Sequence, residues 1–446
     1  MSDGVVVWDW LYYCIGSLPY LWLLVRKPVP LWSVTGVFLT LNFIFILTPG
    51  YYIYRGGISF DNNPEFRWDV YGLLSVQVLA PPLIAGIAWK MRQRIRVHLV
   101  PRESMRTTYV LMLVGICAYC LFYVGAYWDS LPVAAAFHGD LLSSALLRSQ
   151  LTHGLEDTHP PWYFAYYRVL TKDLLFFLAA PLAVFWSTRR LVASAIFCGF
   201  TLFMLVLHIE KDYFLIFALA LYLAWRKFRR PNPFVLASLL AVSVVLAIGV
   251  TYLLFSESLS DAVAYLPLRL MVQVGYVSEQ LNDMRDYGTL WLRGLDLGAI
   301  GRLSGIEFVD ISRITWERVH ASLVESGLSG SSAGAALADL YMICGLLALP
   351  LYALVLYAHF RIDRMFREAC LSSTQESYLT LEHRIRLSFY LYLVAFCSFI
   401  LVGSGLGVFS VGYVLQPALL AVTAALLVLV RVRIFALKSR ECALGT

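Results

Sequence analysis

Arginine suits planar anions because its guanidinium fork matches a phosphate or carboxylate with two parallel bonds, whereas lysine offers a point charge. Two long polar segments of this chain, 129–168 and 256–334, draw their cations from Arg and His alone and contain no Lys. The first holds His138, Arg148, His153, His159 and Arg168. The second holds Arg269, Arg285, Arg293, Arg302, Arg313, Arg318 and His320, with Glu325 among several acids. As a set, these residues are suited to bind a diphosphate. For any one Arg the competing account is an ion pair with a neighbouring Asp or Glu. Arg269 is the most specific of them. Its segment, Leu266-Pro267-Leu268-Arg269-Leu270-Met271, is apolar on both sides, and a charge near lipid is costly without a partner. Neither Asp261 nor Glu279 lies one helical turn away, so its partner is expected from another segment or from a ligand.

Two further places carry ionisable groups among apolar residues. The turn His208-Ile209-Glu210-Lys211-Asp212 packs four such groups into five residues, with Lys211 opening a helix. Its competing reading is a tight turn whose charges neutralise one another. The run Ser329-Gly330-Ser331-Ser332-Ala333-Gly334 leads into Ala335-Ala336-Leu337-Ala338-Asp339-Leu340-Tyr341. This places Asp339 about one turn into an apolar helix, where an ionisable group is a functional candidate. A carboxylate there could accept a proton from an attacking hydroxyl, or it could be salt-bridged to a neighbouring helix. His159-Pro160-Pro161-Trp162-Tyr163, with Tyr166, Tyr167 and Arg168, forms an aromatic approach of the kind found at membrane interfaces and also suited to stacking on sugars.

The elements that must position these groups are membrane helices. Of 446 residues, 60% are hydrophobic and 14% charged, beyond what a water-soluble domain can cover with polar surface. The apolar residues fall in runs long enough to cross a bilayer, and backbone pairing in lipid makes such runs helical. An all-α polytopic membrane protein, one integral domain over 1–446, is expected. It has about eleven spans, near 8–25, 31–54, 69–89, 107–128, 169–188, 191–207, 213–225, 233–255, 335–358, 387–405 and 411–430, and no short alternating strands. Arg26-Lys27, the cluster from Lys90 to Arg106, Arg189-Arg190, Arg226 to Arg230, Arg361 to Arg386 and Arg431 to Arg440 then all fall on one side. The positive-inside rule makes that side cytoplasmic, with the N-terminus out and the C-terminus in. The segments 129–168 and 256–334 become the two long outer loops. The formal charge of +6 follows from this sidedness and calls for no nucleic acid. The start of the chain lacks the basic stretch of a cleavable signal, so the first apolar run is expected to be retained. None of the eight cysteines falls in an outer loop, and Cys117-x-x-Cys120 lies inside an expected helix, where packing accounts for it.

The outer loops contain no DxD, no ExD and no His/Cys cluster of metal-ligand spacing, so neither a metal nor another cofactor is called for. The Walker phosphate-binding loop is also missing from the sequence.

Three local patterns carry a resemblance. One is the polar turn Glu210-Lys211-Asp212 opening a central helix. The second is Leu268-Arg269-Leu270 running on to Tyr287-Gly288 and Arg293-Gly294. The third is Gly334-Ala335-Ala336-Leu337-Ala338-Asp339-Leu340-Tyr341 followed by Cys344-Gly345. Together with the architecture they resemble the Wzy-type polysaccharide polymerases of bacterial envelopes, the O-antigen and enterobacterial-common-antigen polymerase group. Lys211 stands where related proteins often carry Arg. The His-Asn pair of O-antigen ligases appears here as Ser331-Ser332, which lowers the ligase reading.

The resemblance implies a metal-independent glycosyltransferase at the periplasmic face of the bacterial inner membrane. The donor would be an oligosaccharide on undecaprenyl diphosphate, and the acceptor a second lipid-linked repeat unit. A diphosphate leaving group needs preorganised cations. Arg269 and Lys211 are the first choices, with Arg293, Arg313 and Arg318 in support and Arg148 and Arg168 holding sugar or lipid phosphate. Asp339 is the expected acceptor base, with His320 and Glu325 as substitutes. A chain-length regulator and a flippase of the same pathway would be natural partners. The rival functions are an O-antigen ligase-like transferase, a lipid-linked oligosaccharide flippase and a non-catalytic scaffold. Flippases tend to show internal repeats and short loops, and the sequence shows neither.

Overall fold

The computed structural model describes residues 3–26, 33–47, 67–91, 95–140, 191–207, 279–294, 303–325, 335–371 and 421–434, with short pieces between them. The protein is mostly helical. The principal helices are α1 (Asp3–Arg26), α2 (Val34–Asn42), α3 (Arg67–Lys90), α4 (Met105–Tyr127), α5 (Pro132–Phe137) and α6 (Leu191–Val206). They are followed by α7 (Ile311–Val319), α8 (Ala321–Glu325), α9 (Ala336–Cys344) and α10 (Ala348–Leu371). Among the described residues three stretches are long and apolar enough to cross a membrane: Gly72–Lys90, Met105–Ser130 and Ala336–Cys370. This fits a helical membrane protein. The expected spans 213–225, 233–255 and 387–405, and most of 169–188 and 411–430, lie outside the described residues.

Lipid gives backbone groups no water to bond, so each helix irregularity needs a side chain to repair it. The central case is in α3, which contains Pro81 and Pro82. A proline has no N–H, so the carbonyls four residues earlier, on Gln77 and Val78, lose their helical donors. Two side chains replace them. Asn42 Nδ2 donates to Gln77 O at 2.9 Å, and the Tyr20 hydroxyl donates to Val78 O at 3.0 Å. Asn42 Nδ2 also reaches Tyr20 Oη at 2.7 Å, so α1 and α2 are bound to α3 where it would otherwise open.

At the C-terminal end of α3, α10 supplies the repair. Arg361 and Arg364 were expected in a loop after a span ending near 358, but α10 continues through both to Leu371. Arg361 Nη1 donates to Ala88 O at 3.3 Å and Arg364 Nη1 to Met91 O at 2.8 Å. These are late carbonyls without intrahelical partners, and cations there also oppose the negative end of the helix dipole. Between these Arg, Asp363 caps the start of α2. Its Oδ2 accepts from Thr35 N at 2.7 Å and Thr35 Oγ1 at 2.6 Å, and its Oδ1 accepts from Tyr390 Oη at 2.7 Å. The Ser33 hydroxyl accepts from Gly36 N at 2.9 Å, so two of the orphan amides of α2 are closed.

The expectation of an all-α fold is corrected by one element. β1 (Ile95–Pro101) pairs antiparallel with β2 (Val428–Ile434), in a register running from Ile95 opposite Ile434 to Pro101 opposite Val428. Both segments alternate charged and β-branched residues, a pattern of period two that suits a half-buried strand better than a loop. The ribbon buries Val97 and Leu99 in a core shared with α4, and β1 lies against α10.

Two apolar cores result. One gathers Tyr109, Leu113, Ile116 and Cys120 of α4 with Met204 and Leu205 of α6. The other joins α1, α2, α3, α9 and α10, and takes in Val277, Leu281, Leu290, Val309 and Ile311 from the second long loop. Away from these cores α4 exposes Leu111, Val114, Leu121 and Phe122, the surface a helix presents to lipid.

The proline repair makes a reciprocal prediction. Asn42→Leu leaves a carbonyl unpaired and lowers stability by about 1–3 kcal/mol, read as thermal unfolding in detergent. Pro81→Ala returns the missing donor, so Asn42→Leu/Pro81→Ala recovers most of the loss. A double variant no more stable than Asn42→Leu would show that Asn42 does not serve this carbonyl.

Candidate functional site

Asp339 is the most unusual described side chain. It lies in the first turn of α9, is fully buried, and neither carboxylate oxygen has a hydrogen-bond partner among the described residues. A buried charged carboxylate without a partner is costly, which sets Asp339 apart from Glu279, Asp283 and Asp363, the other buried acids among the described residues, all of which are hydrogen-bonded. Its helix is held from two directions. From the membrane side, Gln77 Oε1 accepts from Leu337 N at 2.7 Å, closing an orphan amide at the helix start. From the loop side, Leu290 N donates to Met342 O at 3.0 Å. The small residues Ala335, Ala336 and Ala338 are all buried and allow this close approach.

The loop that meets α9 is shaped by glycines the sequence marks as Tyr287-Gly288 and Arg293-Gly294. Gly288 has φ +66°, a conformation that favours glycine. A Cβ on Gly294 would sit 2.9 Å from Ile343 Cγ1, so this position requires the smallest residue to let the loop pack on α9. Gly345 closes the helix with φ 59°, and the stretch Ala336–Cys370 is therefore interrupted and not one straight rod. The expected single span 335–358 is two helices, α9 and α10.

Above α9 the loop forms a cleft of about 370 Å³, lined by Tyr287, Arg293, Glu307, Phe308, Asp310, Arg313 and Glu317 among others. Val309 N donates to Arg293 O at 2.8 Å and fixes one wall. Asp310 caps α7 by accepting from Arg313 N at 3.0 Å, and it is also the acid that Asp339 feels electrostatically. Two Arg against three carboxylates make the cleft mixed in charge and slightly acidic. That composition, with Tyr287 and Phe308, offers donors, acceptors and aromatic faces to a polyhydroxylated ligand more readily than a cage for a diphosphate.

The sequence-derived candidates divide accordingly. Arg293 and Arg313 come together at the cleft, with Arg313 Nε bonded to Glu317 at 2.7 Å. Arg318 is committed elsewhere. Its Nε lies 2.8 Å from Asp283 Oδ1 and its Nη2 bonds Glu279, while Thr315 Oγ1 donates to Asp283 Oδ2 at 2.6 Å. Desolvation pulls the pKa of this guanidinium down, but the hydrogen bonds and charges of Glu279 and Asp283 outweigh it and hold the pKa above its ordinary value. Arg318 thus braces α7 against the helical turn at 279–284. His320 Nε2 bonds the Tyr276 hydroxyl and its ring lies 5.2 Å from that of Trp316. Glu325 is exposed at the end of α8, and Arg148 is half-buried in a helical piece at 146–148. Arg168, Lys211 and Arg269 lie outside the described residues.

Sequence reasoning gave no role to Gln77, Asn42, Glu279 and Asp283. The signal for the first two was the Pro81-Pro82 pair, which announces two carbonyls in need of donors. Glu279 and Asp283 stand one turn apart, as a carboxylate pair on one helix face must.

The two Arg classes separate by experiment. Arg318→Ala leaves Glu279 and Asp283, both buried, without their cation, and is expected to cost about 1–2 kcal/mol after allowance for its exposed side. Arg293→Ala should change thermal stability by less than about 0.5 kcal/mol. The reverse order would mean that Arg293 is the structural brace.

The chain matches no known family model, no curated protein and no solved structure.

Proposed function

We propose that the protein is an envelope polysaccharide polymerase of the Wzy type. It transfers a growing glycan from undecaprenyl diphosphate to a lipid-linked repeat unit at the periplasmic face of the bacterial inner membrane. The observation that carries this reading is Asp339, a sealed carboxylate with no partner among the described residues, on a helix that packs directly under a polar cleft. In the reaction an acceptor hydroxyl loses its proton to Asp339 as its oxygen bonds the anomeric carbon of the donor. The bond from that carbon to the lipid diphosphate breaks, and Arg269 and Lys211 receive the charge that develops on the leaving group. Sugar rings of the acceptor lie in the cleft, where Arg293, Arg313, Asp310 and Tyr287 offer bonds and stacking.

This reading keeps eleven spans, with the N-terminus periplasmic and the C-terminus cytoplasmic, because only then do 256–334 and Asp339 face the same compartment as the donor. It also keeps the chain-length regulator and the flippase of the pathway as partners.

The test is glycan ladder length in cells that depend on this chain for polymerisation. Asp339→Asn is expected to lower activity by at least the roughly 10²-fold associated with a positioned base, while its protein level in the membrane stays near normal. A full-length ladder with Asp339→Asn would remove it as the base. Arg269→Lys keeps charge but loses the fork and should shorten the ladder, whereas Arg269→Ala should abolish it. Full ladders in both would free Arg269 from the diphosphate. Single repeat units accumulating on the cytoplasmic side would instead indicate a flippase.

A further inference from the structure

Trp291, with φ +50°, is the only residue other than glycine that has a positive φ among the described residues. The others, Gly139, Gly288, Gly305 and Gly345, are what that conformation ordinarily demands, because a Cβ crowds the backbone there. The chain thus uses glycine at Gly288 and, three residues later in the same loop, a tryptophan. The backbone around Trp291 explains the turn but not the ring. Leu290 is buried and donates its N–H to Met342 O at 3.0 Å, and Gly294 packs so closely on α9 that a Cβ would meet Ile343. Between these two anchors Trp291, Leu292 and Arg293 must leave α9 and return to it. They do so in a turn that Arg293 N closes on Leu290 O at 3.0 Å, with Trp291 at the second position. A positive φ at that position of a turn calls for glycine or asparagine. Burial does not repay the strain, since Trp291 is 55% exposed. A strained residue held at the surface points to a use for its side chain.

The surroundings say what the ring can meet. Arg293, in the same turn, lines the cleft over α9, and so do the exposed rings of Tyr287 and Phe308. The rest of the lining is polar and carries both signs of charge, with Glu307, Asp310 and Glu317 beside Arg293 and Arg313. Aromatic faces next to carboxylates and guanidinium groups fit a sugar ring. Its C–H face stacks on an aromatic π-cloud while the hydroxyls at its rim take hydrogen bonds. A bilayer surface fits less well, because attraction to anionic headgroups needs a basic face, and here three carboxylates stand against two Arg.

We propose that Trp291 is a stacking platform for a sugar residue of the glycan, the one next to the sugar that the cleft itself holds. This rests on the reading that the cleft receives the acceptor glycan, and it adds a second subsite to it. Two adjacent sugars are then held, so a chain of several sugars binds more firmly than a single one. The turn fixes the ring in place before the glycan arrives, so little side-chain freedom is lost on binding.

The test compares wild type, W291F, W291A and W291G as full chains in nanodiscs. The probe is the oligosaccharide mixture released by mild acid from the envelope of cells that carry the chain, with its binding followed by saturation-transfer NMR. W291F keeps a ring and should bind within about twofold of wild type, whereas W291A and W291G should both bind about five- to tenfold more weakly. W291G should nevertheless melt above W291A, because both lose the ring and glycine alone relieves the backbone. This separation of stability from binding is what a purely structural role would not produce. In cells W291A should shorten the glycan ladder and W291F should not. An unchanged ladder when the chain is deleted would end the polymerase reading, while the binding measurements would still decide the role of Trp291. A wild type that binds none of the oligosaccharides, or a W291A that binds them as tightly as wild type, overturns the proposal. So does W291A melting at or above W291G, which would remove the strain. Quenching of the Trp291 emission by brominated phospholipid, read as the difference between wild type and W291F, would place the ring in the bilayer and overturn it too.

Discussion

Pro81 and Pro82 remove two backbone donors from the interior of α3, in surroundings where no water can replace them. Much of the described helical assembly can be understood as the response. Asn42 and Tyr20 must stand where the freed carbonyls point, which fixes α2 and α1 against α3. Gln77, whose own carbonyl is one of those freed, turns its side chain to the first turn of α9 and accepts from Leu337 N. The position of Asp339 thus descends from two prolines a membrane helix away. A regular α3 would leave Asn42 and Tyr20 without these acceptors.

The middle and the C-terminal end of α3 are secured by different chemistry. Its middle is repaired by neutral amide and hydroxyl donors, where a charge would be expensive. Its last carbonyls are met by Arg361 and Arg364, where guanidinium groups can still reach water. Asp363 lies between these two Arg in sequence but turns inward to the start of α2 and to Tyr390. Adjacent positions of α10 therefore serve two neighbouring helices, a cationic side for a C-terminus and an anionic side for an N-terminus, as the helix dipole requires.

The membrane character was legible from apolar runs, and α1, α3, α4 and α6 lie where those runs predict because length and hydropathy suffice to place them. The place of Asp339 near the start of an apolar helix was also legible, because the Ser/Gly run before Ala335 marks where that helix begins. The ribbon was hidden because Arg96, His98, Arg431 and Arg433 satisfy the positive-inside rule whatever their backbone conformation, and that sufficient account masked the alternation in Ile95–Leu99 and Val428–Ile434. Arg318 was read as ligand-facing because its partners, Glu279 and Asp283, lie 39 and 35 positions away, a separation at which sequence spacing says nothing. The break at Gly345 was hidden for a related reason. The apolar run continues through it, and hydropathy does not register a single positive φ.

The ribbon also has a consequence for biogenesis. β1 leaves the ribosome more than 300 residues ahead of its partner strand. A similar delay separates the partners in the bond between Thr35 and Asp363, 328 positions apart, and in that between Gln77 and Leu337, 260 apart. At ordinary elongation rates the interval is on the order of tens of seconds. During it α2 has no cap from α10, and β1 offers an open strand edge, the kind of surface that invites wrong pairing. Arg96, exposed on that strand, opposes pairing with a second copy of β1. A charge on the strand can therefore guard the nascent chain against its neighbours on a polysome.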